Sequence, residues 1–419
     1  MSNTADLLVI NAAELLTCAG FSDAPARGPE QSRIGVVRDA AVAVRDGRVL
    51  EVGASERIKK SYDAAHIVDA AGGIVLPGFV DPHTHLVFGG DRAAEWEERL
   101  RGAPYLEILR HGGGILSTVR ATRAASFDAL LAGARRWAGR AMEHGTTTLE
   151  IKSGYCLDRE GEIKLLEVAN KLAGELPIEI VPTFLGAHVI PPELKTDRAR
   201  YLDLVEGLSG LVAERKLARF VDVFCEDEAF TLEESERLLS HAAGLGLGLK
   251  LHAEQFTASG AARLGLRLGA VSVDHLEHLS DADLELFASS PHPPVAVLLP
   301  GVPFHLGMSV YAPARRLVDA GAPVALATDF NPGSSFTPSQ PMIIALACRT
   351  LGLSAAESIV ASTINAAHAL GLGGDTGSLE PGKRADLIVC EVPDHRWLGY
   401  SFGWNPVRTV IANGTRILG

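Results

Sequence analysis

Short apolar runs alternate with amphipathic helical stretches through the middle of this chain, and this alternation constrains its fold more than any other feature. Eight of the runs have the length and composition of buried strands. They occupy 74–80, 146–151, 178–185, 220–224, 247–251, 270–273, 295–299 and 324–327. Eight strand–helix units predict an α/β fold of the (β/α)8 TIM barrel type. An open doubly wound sheet is the alternative, but it usually carries a glycine fingerprint after its first strand, where this chain has His83-Thr84-His85.

Helix starts can be located between these runs. Ser126 precedes an apolar stripe that ends near Gly145, as expected for an N-cap residue. Two capping boxes, in which a Ser or Thr is followed three residues later by Glu, begin further helices. They are Thr231 with Glu234 and Ser354 with Glu357.

The two ends of the chain have strand patterns of a different kind. Asp46-Gly47 and Asn413-Gly414 each separate two strand-like segments, which is typical of a hairpin with a type I′ turn. Neither end is long enough to form a stable sheet alone. We therefore expect a small β-sandwich-like domain composed of 1–73 plus 378–419, beside a barrel domain at 74–377.

Composition excludes several classes of partner. The net charge of -12 argues against nucleic acid, which is bound by clustered lysine and arginine, and against an anionic membrane surface. Five cysteines lie far apart without a C-x-x-C motif, which favours a reducing compartment. The first residues carry no basic or apolar targeting pattern, and no apolar run approaches ~18 residues. The expectation is a cytoplasmic protein.

Histidines and carboxylates follow the predicted strands. His83 and His85 are two residues apart after the first run, so both leave the same face of a strand. The pair alone fits a metal site and a pair of structural histidines equally well. In a barrel, however, catalytic groups lie at the carboxyl ends of the strands. Further polar residues follow these ends, namely Lys152, Tyr155, His188, Glu226, Asp227, His252, His275 and Asp329. Five histidines after four strands, with an aspartate after the eighth, predict a metal site.

Metal-assisted hydrolysis is the chemistry that these residues support. A bound metal ion lowers the pKa of a water molecule to ~7. Asp329 can ligate the metal and accept the proton of the water, and His275 can hydrogen-bond that water or polarise a carbonyl. His111-Gly112-Gly113-Gly114 is similar to the oxyanion loop of esterases, but the chain has no G-x-S-x-G motif, so a loop over the active site is favoured instead.

Several motifs resemble known enzymes. Pro-Gly-Phe-Val-Asp-Pro-His-Thr-His at 77–85, the strand-end His252 and Asp329, and Pro-Gly-Lys-Arg-Ala-Asp-Leu at 381–387 resemble the amidohydrolase superfamily. Within it, the segments 85–92, 112–123, 150–155, 183–188 and 328–334 look like those of the imidazolonepropionase family. The resemblance covers about residues 74–390.

This resemblance implies an activity and a site. The family opens the ring of 4-imidazolone-5-propanoate with water to give N-formimidoyl-L-glutamate, in histidine degradation. One divalent metal, zinc or iron, would be held by His83, His85, His252 and Asp329. Substrate would be bound by Arg92, Tyr155 and His188, with Asn331, Gly333 and Ser334 near its other end. A homodimer is also implied.

For two of these residues, Arg92 and Tyr155, the sequence also allows a role outside substrate binding. Arg92 can grip a propanoate with two hydrogen bonds, or it can form an ion pair with Asp91 or Glu95. Tyr155 can be a packed aromatic at the rim.

Gln255 stands where the family has Glu or Gln. An amide cannot shuttle a proton, so Gln255 is assigned to substrate binding. No lysine follows the fourth strand, which favours a single metal. The other functions to be weighed are a different cyclic-amide hydrolase or aminohydrolase and a non-catalytic metal-binding scaffold.

Overall fold

The structure is a computed structural model, and it describes residues 3–102 and 113–419. His111 and Gly112 of the predicted loop lie outside the described residues. The strands are β1 (Asn3–Leu16), β2 (Val36–Arg45), β3 (Arg48–Ala54), β4 (Tyr62–Asp69), β5 (Ile74–Pro77), β6 (Phe79–Asp81), β7 (Thr146–Lys152), β8 (Glu179–Ala187), β9 (Phe220–Cys225), β10 (Gly248–Ala253), β11 (Ser272–His275), β12 (Val295–Leu298), β13 (Val324–Leu326), β14 (Leu387–Cys390), β15 (Val407–Ala412) and β16 (Thr415–Leu418).

Helices connect the strands and follow the last of the barrel strands. Those of the described residues are α1 (Ser55–Ser61), α2 (Ala93–Leu100), α3 (Ile115–Ala124), α4 (Phe127–Glu143), α5 (Arg159–Ala173), α6 (Arg198–Arg215), α7 (Leu232–Gly244), α8 (Ala261–Leu268), α9 (Asp281–Ser289), α10 (Gly301–Leu306), α11 (Ala314–Asp319), α12 (Gln340–Thr350), α13 (Ala355–Ala361), α14 (Ile364–His368) and α15 (Trp397–Tyr400). Ser126 caps α4, and the two predicted capping boxes begin α7 and α13. Within the described ranges, no helix has the length and apolar character needed to span a bilayer.

Strands β6 to β13 form the predicted barrel. Each pairs in parallel with the next along the chain. The barrel closes between its first and last strands through a bridge of Thr84 with Phe330. There the amide of His85 donates to the carbonyl of Phe330 at 2.9 Å, and the amide of Asp329 donates to the carbonyl of His83 at 3.0 Å. Closure therefore brings the histidines of the first strand against the aspartate of the eighth.

The predicted first strand, 74–80, is divided in the structure. Its first half, β5, pairs with β1 and β14 in the sheet of the chain termini, and only β6 enters the barrel. Gly78 lies at the division, where its amide donates to the carbonyl of Asp386 at 3.0 Å and a Cβ would overlap Thr147. One apolar run thus serves two sheets, and the barrel begins at Phe79.

Both ends of the chain build one mixed sheet. Its strand order is β16-β15-β14-β5-β1-β2-β3, with β4 paired to β1. The residues of both predicted hairpin turns have positive φ, 52° and 72° at Asp46 and Gly47 and 48° and 73° at Asn413 and Gly414, as a type I′ turn requires. Helix α1 covers one face through the buried Ile58. The prediction that both termini build one β unit is therefore confirmed, as a mixed sheet that also includes β5.

Candidate active site

Four predicted ligands converge at the carboxyl end of the barrel. Nε2 of His83 and Nε2 of His85 each lie 3.4 Å from Oδ1 of Asp329. Nε2 of His252, at the end of β10, lies 3.4 Å from Nε2 of His85. The side chains of all four are at most 4% exposed. Three strands far apart in sequence thus aim nitrogen and oxygen atoms at one point.

Two carboxylates orient these imidazoles from behind. Nδ1 of His83 lies 2.6 Å from Asp274, and Nδ1 of His252 lies 3.1 Å from Asp222. When Nδ1–H donates to a carboxylate, the lone pair of Nε2 is left facing the centre, which is how metal-bound histidines are usually held.

The centre has the properties of a metal site. Among the described residues, Nε2 of His83 and Oδ1 of Asp329 have no hydrogen-bond partner although both are buried. Buried polar atoms rarely lack a partner unless an ion or a catalytic role accounts for them. Burial also lowers the pKa of His83 and His85 well below the ordinary value, so both imidazoles are neutral and able to ligate. The donor set, three imidazoles and a carboxylate, suits a divalent transition metal.

A buried charge network supports the centre. Nζ of Lys152 lies 2.7 Å from Asp222, 2.9 Å from Glu150 and 3.7 Å from Asp274. Burial by itself would lower the pKa of Lys152, but the three carboxylates outweigh it and the pKa lies well above the ordinary value. Lys250 donates to the carbonyl of Pro82 at 2.7 Å and lies 3.1 Å from Glu150. Both ammonium groups are thus committed to this network.

A cavity of about 650 Å³ opens over the centre. It is bounded by all the predicted site residues except His83, which lies at the base of the centre. They are His85, Arg92, Tyr155, His188, His252, Gln255, His275, Asp329, Asn331, Gly333 and Ser334. A cavity of this size accommodates a small molecule.

The family of the chain follows from comparison with known proteins. The model of the amidohydrolase family matches residues 74–417. An imidazolonepropionase of Chloroflexus aggregans is 44% identical, with 98% of this chain and 97% of the relative covered. An imidazolonepropionase of Geobacillus kaustophilus is 45% identical, with 97% of each chain covered. The chain belongs to the imidazolonepropionase family of the amidohydrolases.

Solved structures with this fold have other activities. An adenosine deaminase from Xanthomonas campestris with bound zinc superposes with a TM-score of 0.75 at 21% identity, covering 100% of this chain and 94% of its own. A guanine deaminase of E. coli superposes with a TM-score of 0.72 at 15% identity, covering 98% of each chain. At such identities the likeness concerns the fold alone, so specificity must be argued from the cavity.

Arg92, which the family resemblance assigns to substrate binding, lines the cavity. Arg92 forms an ion pair with Glu95, with Nε 3.1 Å from Oε2, and Glu95 also accepts the amide of Gly114 at 2.8 Å. This pair leaves Nη1 of Arg92 beside Gly333, where a Cβ would overlap the guanidinium. Arg92 therefore both forms the ion pair with Glu95 and borders the cavity, and the missing side chain of Gly333 leaves space for its guanidinium group.

The loop after β13 is held by Asn331. The side-chain Nδ2 of Asn331 donates to the carbonyl of Asp329 at 2.7 Å and to Oγ of Ser334 at 2.8 Å. Its oxygen accepts the amides of Gly333 at 2.7 Å and Ser334 at 2.8 Å. Since an amide has two donors and two lone pairs, this loop uses all of the capacity of Asn331. The geometry gives Asn331 the task of shaping the loop, whereas Ser334 remains beside Asp329 at 3.4 Å.

Tyr155 and His188 also line the cavity. The ring of His188 stacks on that of His85 with centroids 5.1 Å apart, and its Nδ1 lies 3.0 Å from the carbonyl of Gly154. Burial lowers the pKa of His188 to about 3, so the ring is neutral and its Nε2 is an acceptor. Burial raises the pKa of Tyr155 far above neutrality, so its hydroxyl is a neutral donor.

The prediction of site residues from the ends of the barrel strands did not include some residues that line the cavity. Arg99, Leu306 and Met308 line it, but they come from α2 and from α10 and the loop after it. No periodicity marks such positions in the sequence. The role of Glu226, by contrast, becomes clear only in the structure: it accepts the amides of Phe256 at 2.9 Å and Thr257 at 3.3 Å, and so holds the turn that carries Gln255.

Proposed function

We propose that this chain hydrolyses 4-imidazolone-5-propanoate to N-formimidoyl-L-glutamate. The observation that carries the proposal is that one cavity contains both a metal-type cluster and a guanidinium group, in a chain 44% identical to an imidazolonepropionase over nearly its full length. The cluster suits attack on a ring carbonyl, and the guanidinium suits the propanoate.

The test is an assay with the metal-loaded protein. Imidazolone propanoate should lose its ultraviolet absorbance, and N-formimidoyl-glutamate should accumulate in equal amount. Hydantoin and guanine serve as comparison substrates, because other amidohydrolases act on cyclic amides and aminopurines. Turnover of either of these with none of imidazolone propanoate would contradict the proposal.

We further propose one divalent ion per chain, zinc or iron, bound by His83, His85, His252 and Asp329. The donor atoms of His83, His85 and Asp329 form one cluster, and Nε2 of His252 lies beside that of His85. When bound, such an ion acts as a Lewis acid and lowers the pKa of a water molecule. The donor atoms of these four residues support this assignment. Elemental analysis of protein purified from its own cells measures both the identity and the stoichiometry of the ion.

The remaining steps are assigned to side chains. Water adds to the ring carbonyl carbon, the carbon–nitrogen bond of the ring breaks, and the departing nitrogen gains a proton. Asp329 is assigned the transfer of the proton from the water to the departing nitrogen, because its carboxylate borders the cavity beside the proposed ligand nitrogens. His275 borders the same cavity and can donate to the carbonyl oxygen once Nε2 carries a proton. Gln255 and Tyr155 offer hydrogen bonds to the polar atoms of the ring.

Arg92→Ala should weaken substrate binding and leave the chemical step nearly intact. Losing a charge-assisted hydrogen bond to the propanoate costs about 1.5–3 kcal/mol, so KM should rise roughly 10- to 150-fold. We expect kcat to change by less than about 3-fold, because the contacts of Arg92 are with Glu95 and Gly333, neither of which is a proposed metal ligand. Steady-state kinetics measures both constants.

Arg101→Ala is the matched control. Arg92 immediately precedes helix α2 and Arg101 immediately follows it. Arg101 forms an ion pair with Glu97, but its side chain is 72% exposed. Its removal should leave KM unchanged. An unchanged KM in Arg92→Ala as well would remove Arg92 from the binding site.

We also propose that two copies of the chain associate. Four aromatic residues in the segment 397–404 support this, because their side chains are turned toward solvent. Tyr400 and Phe402 are 74% and 77% exposed. Light scattering should give twice the chain mass, and Phe402→Ser should shift the particles toward single chains. A single-chain mass at all concentrations would contradict the association.

A cytoplasmic location is proposed from the state of the thiols. All five cysteines are free, and four of them are buried. Buried free thiols persist in a reducing compartment. Cell fractionation should recover the enzyme with cytoplasmic markers.

A further inference from the structure

We propose that Glu277 is the positioning residue for His275, fixing the orientation and tautomer of its imidazole. This inference rests on the proposed function, since it assigns a supporting role to a residue in the same reaction. Glu277 does not border the cavity described above, and it acts through its neighbour.

The inference rests on two buried atoms that lack hydrogen-bond partners, one in His275 and one in Glu277. Nδ1 of His275 and Oε2 of Glu277 are 3.7 Å apart, and the two side chains are 1% and 2% exposed. Among the described residues, neither atom has a hydrogen-bond partner. Burying a donor and an acceptor without partners is unfavourable, and each supplies what the other lacks. A small side-chain rotation shortens the separation to that of an ordinary hydrogen bond.

An uncommon turn creates this arrangement. His275 and Leu276 are consecutive residues with left-handed φ angles, 84° and 70°, although neither is glycine. Two backbone hydrogen bonds hold the turn: the amide of Leu276 donates to the carbonyl of Ala253, the last residue of β10, at 3.0 Å, and the amide of His278 donates to the carbonyl of the next residue, Glu254, at 2.8 Å. Backbone strain of this kind is retained at active sites when the surroundings fix it. Here it places Glu277 beside the imidazole that precedes it by two residues.

The consequence concerns the second nitrogen of the ring. If Nδ1–H donates to Glu277, the proton of a neutral His275 is on Nδ1 and Nε2 is bare until it takes a proton. The His275 ring lies 5.2 Å from that of His252 and 5.5 Å from that of His83, between centroids. A ring free to rotate would have no fixed direction among these neighbours. The carboxylate of Glu277 supplies that direction.

The test compares two substitutions of Glu277. Glu277→Met removes the acceptor, and we expect kcat to fall on the order of 10- to 100-fold, a loss of the size found when the carboxylate partner of a metal-bound histidine is removed. KM should change by less than about 3-fold, and the metal content should stay the same. Glu277→Gln keeps an oxygen that accepts from Nδ1–H, so it should recover part of the lost kcat.

Asp283→Asn is the matched control. Asp283, at the start of α9, is another buried carboxylate of this region, but it forms an ion pair with Arg263 of α8. Its substitution should lower stability and leave kcat unchanged, which separates a general loss of packing from a loss of ring orientation.

A double-mutant cycle then asks whether Glu277 acts through His275. In the His275→Ala background, Glu277→Met should cause no further loss of kcat. Equal losses in both backgrounds, loss of metal, or an unchanged kcat in the single variant would each overturn the proposal.

A readout independent of turnover keeps this inference separate from the proposed function. Nitrogen chemical shifts of His275, assigned by their disappearance in His275→Ala, report which ring nitrogen carries the proton. Glu277→Met should change them even if imidazolone propanoate proves not to be the substrate. Shifts identical to those of the unsubstituted protein would overturn the positioning role.

Discussion

Asp329→Ala should abolish metal retention and activity together. The residue supplies a buried carboxylate oxygen 3.4 Å from nitrogens of two proposed ligands, His83 and His85, and it is also the proposed proton acceptor. Loss of both roles should lower kcat/KM by on the order of 10³-fold or more. His252→Ala should also lose the metal. Elemental analysis of each purified variant, together with kinetics, measures the outcome.

Protons should compete with the metal at the same carboxylate. Burial raises the pKa of Asp329 to about 6 in the absence of a cation. A carboxyl group must be deprotonated to ligate, so dialysis of the unsubstituted protein at pH 5 should remove metal faster than dialysis at pH 7.5.

Asp319→Ala is the control for the loss of an aspartate. Asp319 pairs with Arg315 on the surface and is 65% exposed. This variant should keep full metal content and activity. Full metal occupancy in Asp329→Ala would show that the ligand assignment is wrong.

Of the substitutions proposed for this protein, Lys152→Met should lower the free energy of unfolding the most. Lys152 is fully buried between Glu150, Asp222 and Asp274, and its removal leaves Lys250, 3.1 Å from Glu150, as the remaining ammonium group of this network. Breaking a buried ion pair by removing one partner costs about 3–5 kcal/mol. The raised pKa of Lys152 keeps the ammonium charged at pH 7, so this contribution is fully present there and is lost only as the pH rises through that raised value. Urea denaturation of the metal-free protein measures the change.

The same substitution should weaken metal binding. Lys152 contacts both carboxylates that orient the ligand imidazoles, Asp222 behind His252 and Asp274 behind His83. Loss of such support typically lowers metal affinity 10- to 100-fold. Lys171→Met, which removes a lysine 58% exposed beside Glu175, should change stability by less than about 0.5 kcal/mol. A change below about 1 kcal/mol in Lys152→Met would contradict the importance of the network.

Local patterns determined much of this protein. The barrel strands after the first were placed to within about two residues, because apolar runs and their boundaries depend on neighbouring residues alone. The two hairpin turns and the helix caps were predictable for the same reason, since Asn-Gly, Asp-Gly and capping boxes act within four residues. The metal cluster followed from residues at the ends of parallel strands, which must meet at one face of a closed barrel.

Only the tertiary structure decided which distant groups come into contact. Whether Ile74 belonged to the barrel or to the terminal sheet depended on Cys390, its partner more than 300 residues later in the chain. The Lys152 network and the meeting of Arg92 with Gly333 likewise join elements that carry no local signal for each other. Even Glu277, only two residues from His275, is turned toward it by hydrogen bonds to the backbone at the end of β10. Propensity and periodicity act over a few residues, whereas ion pairing and burial depend on where the closed barrel brings its strands and loops together.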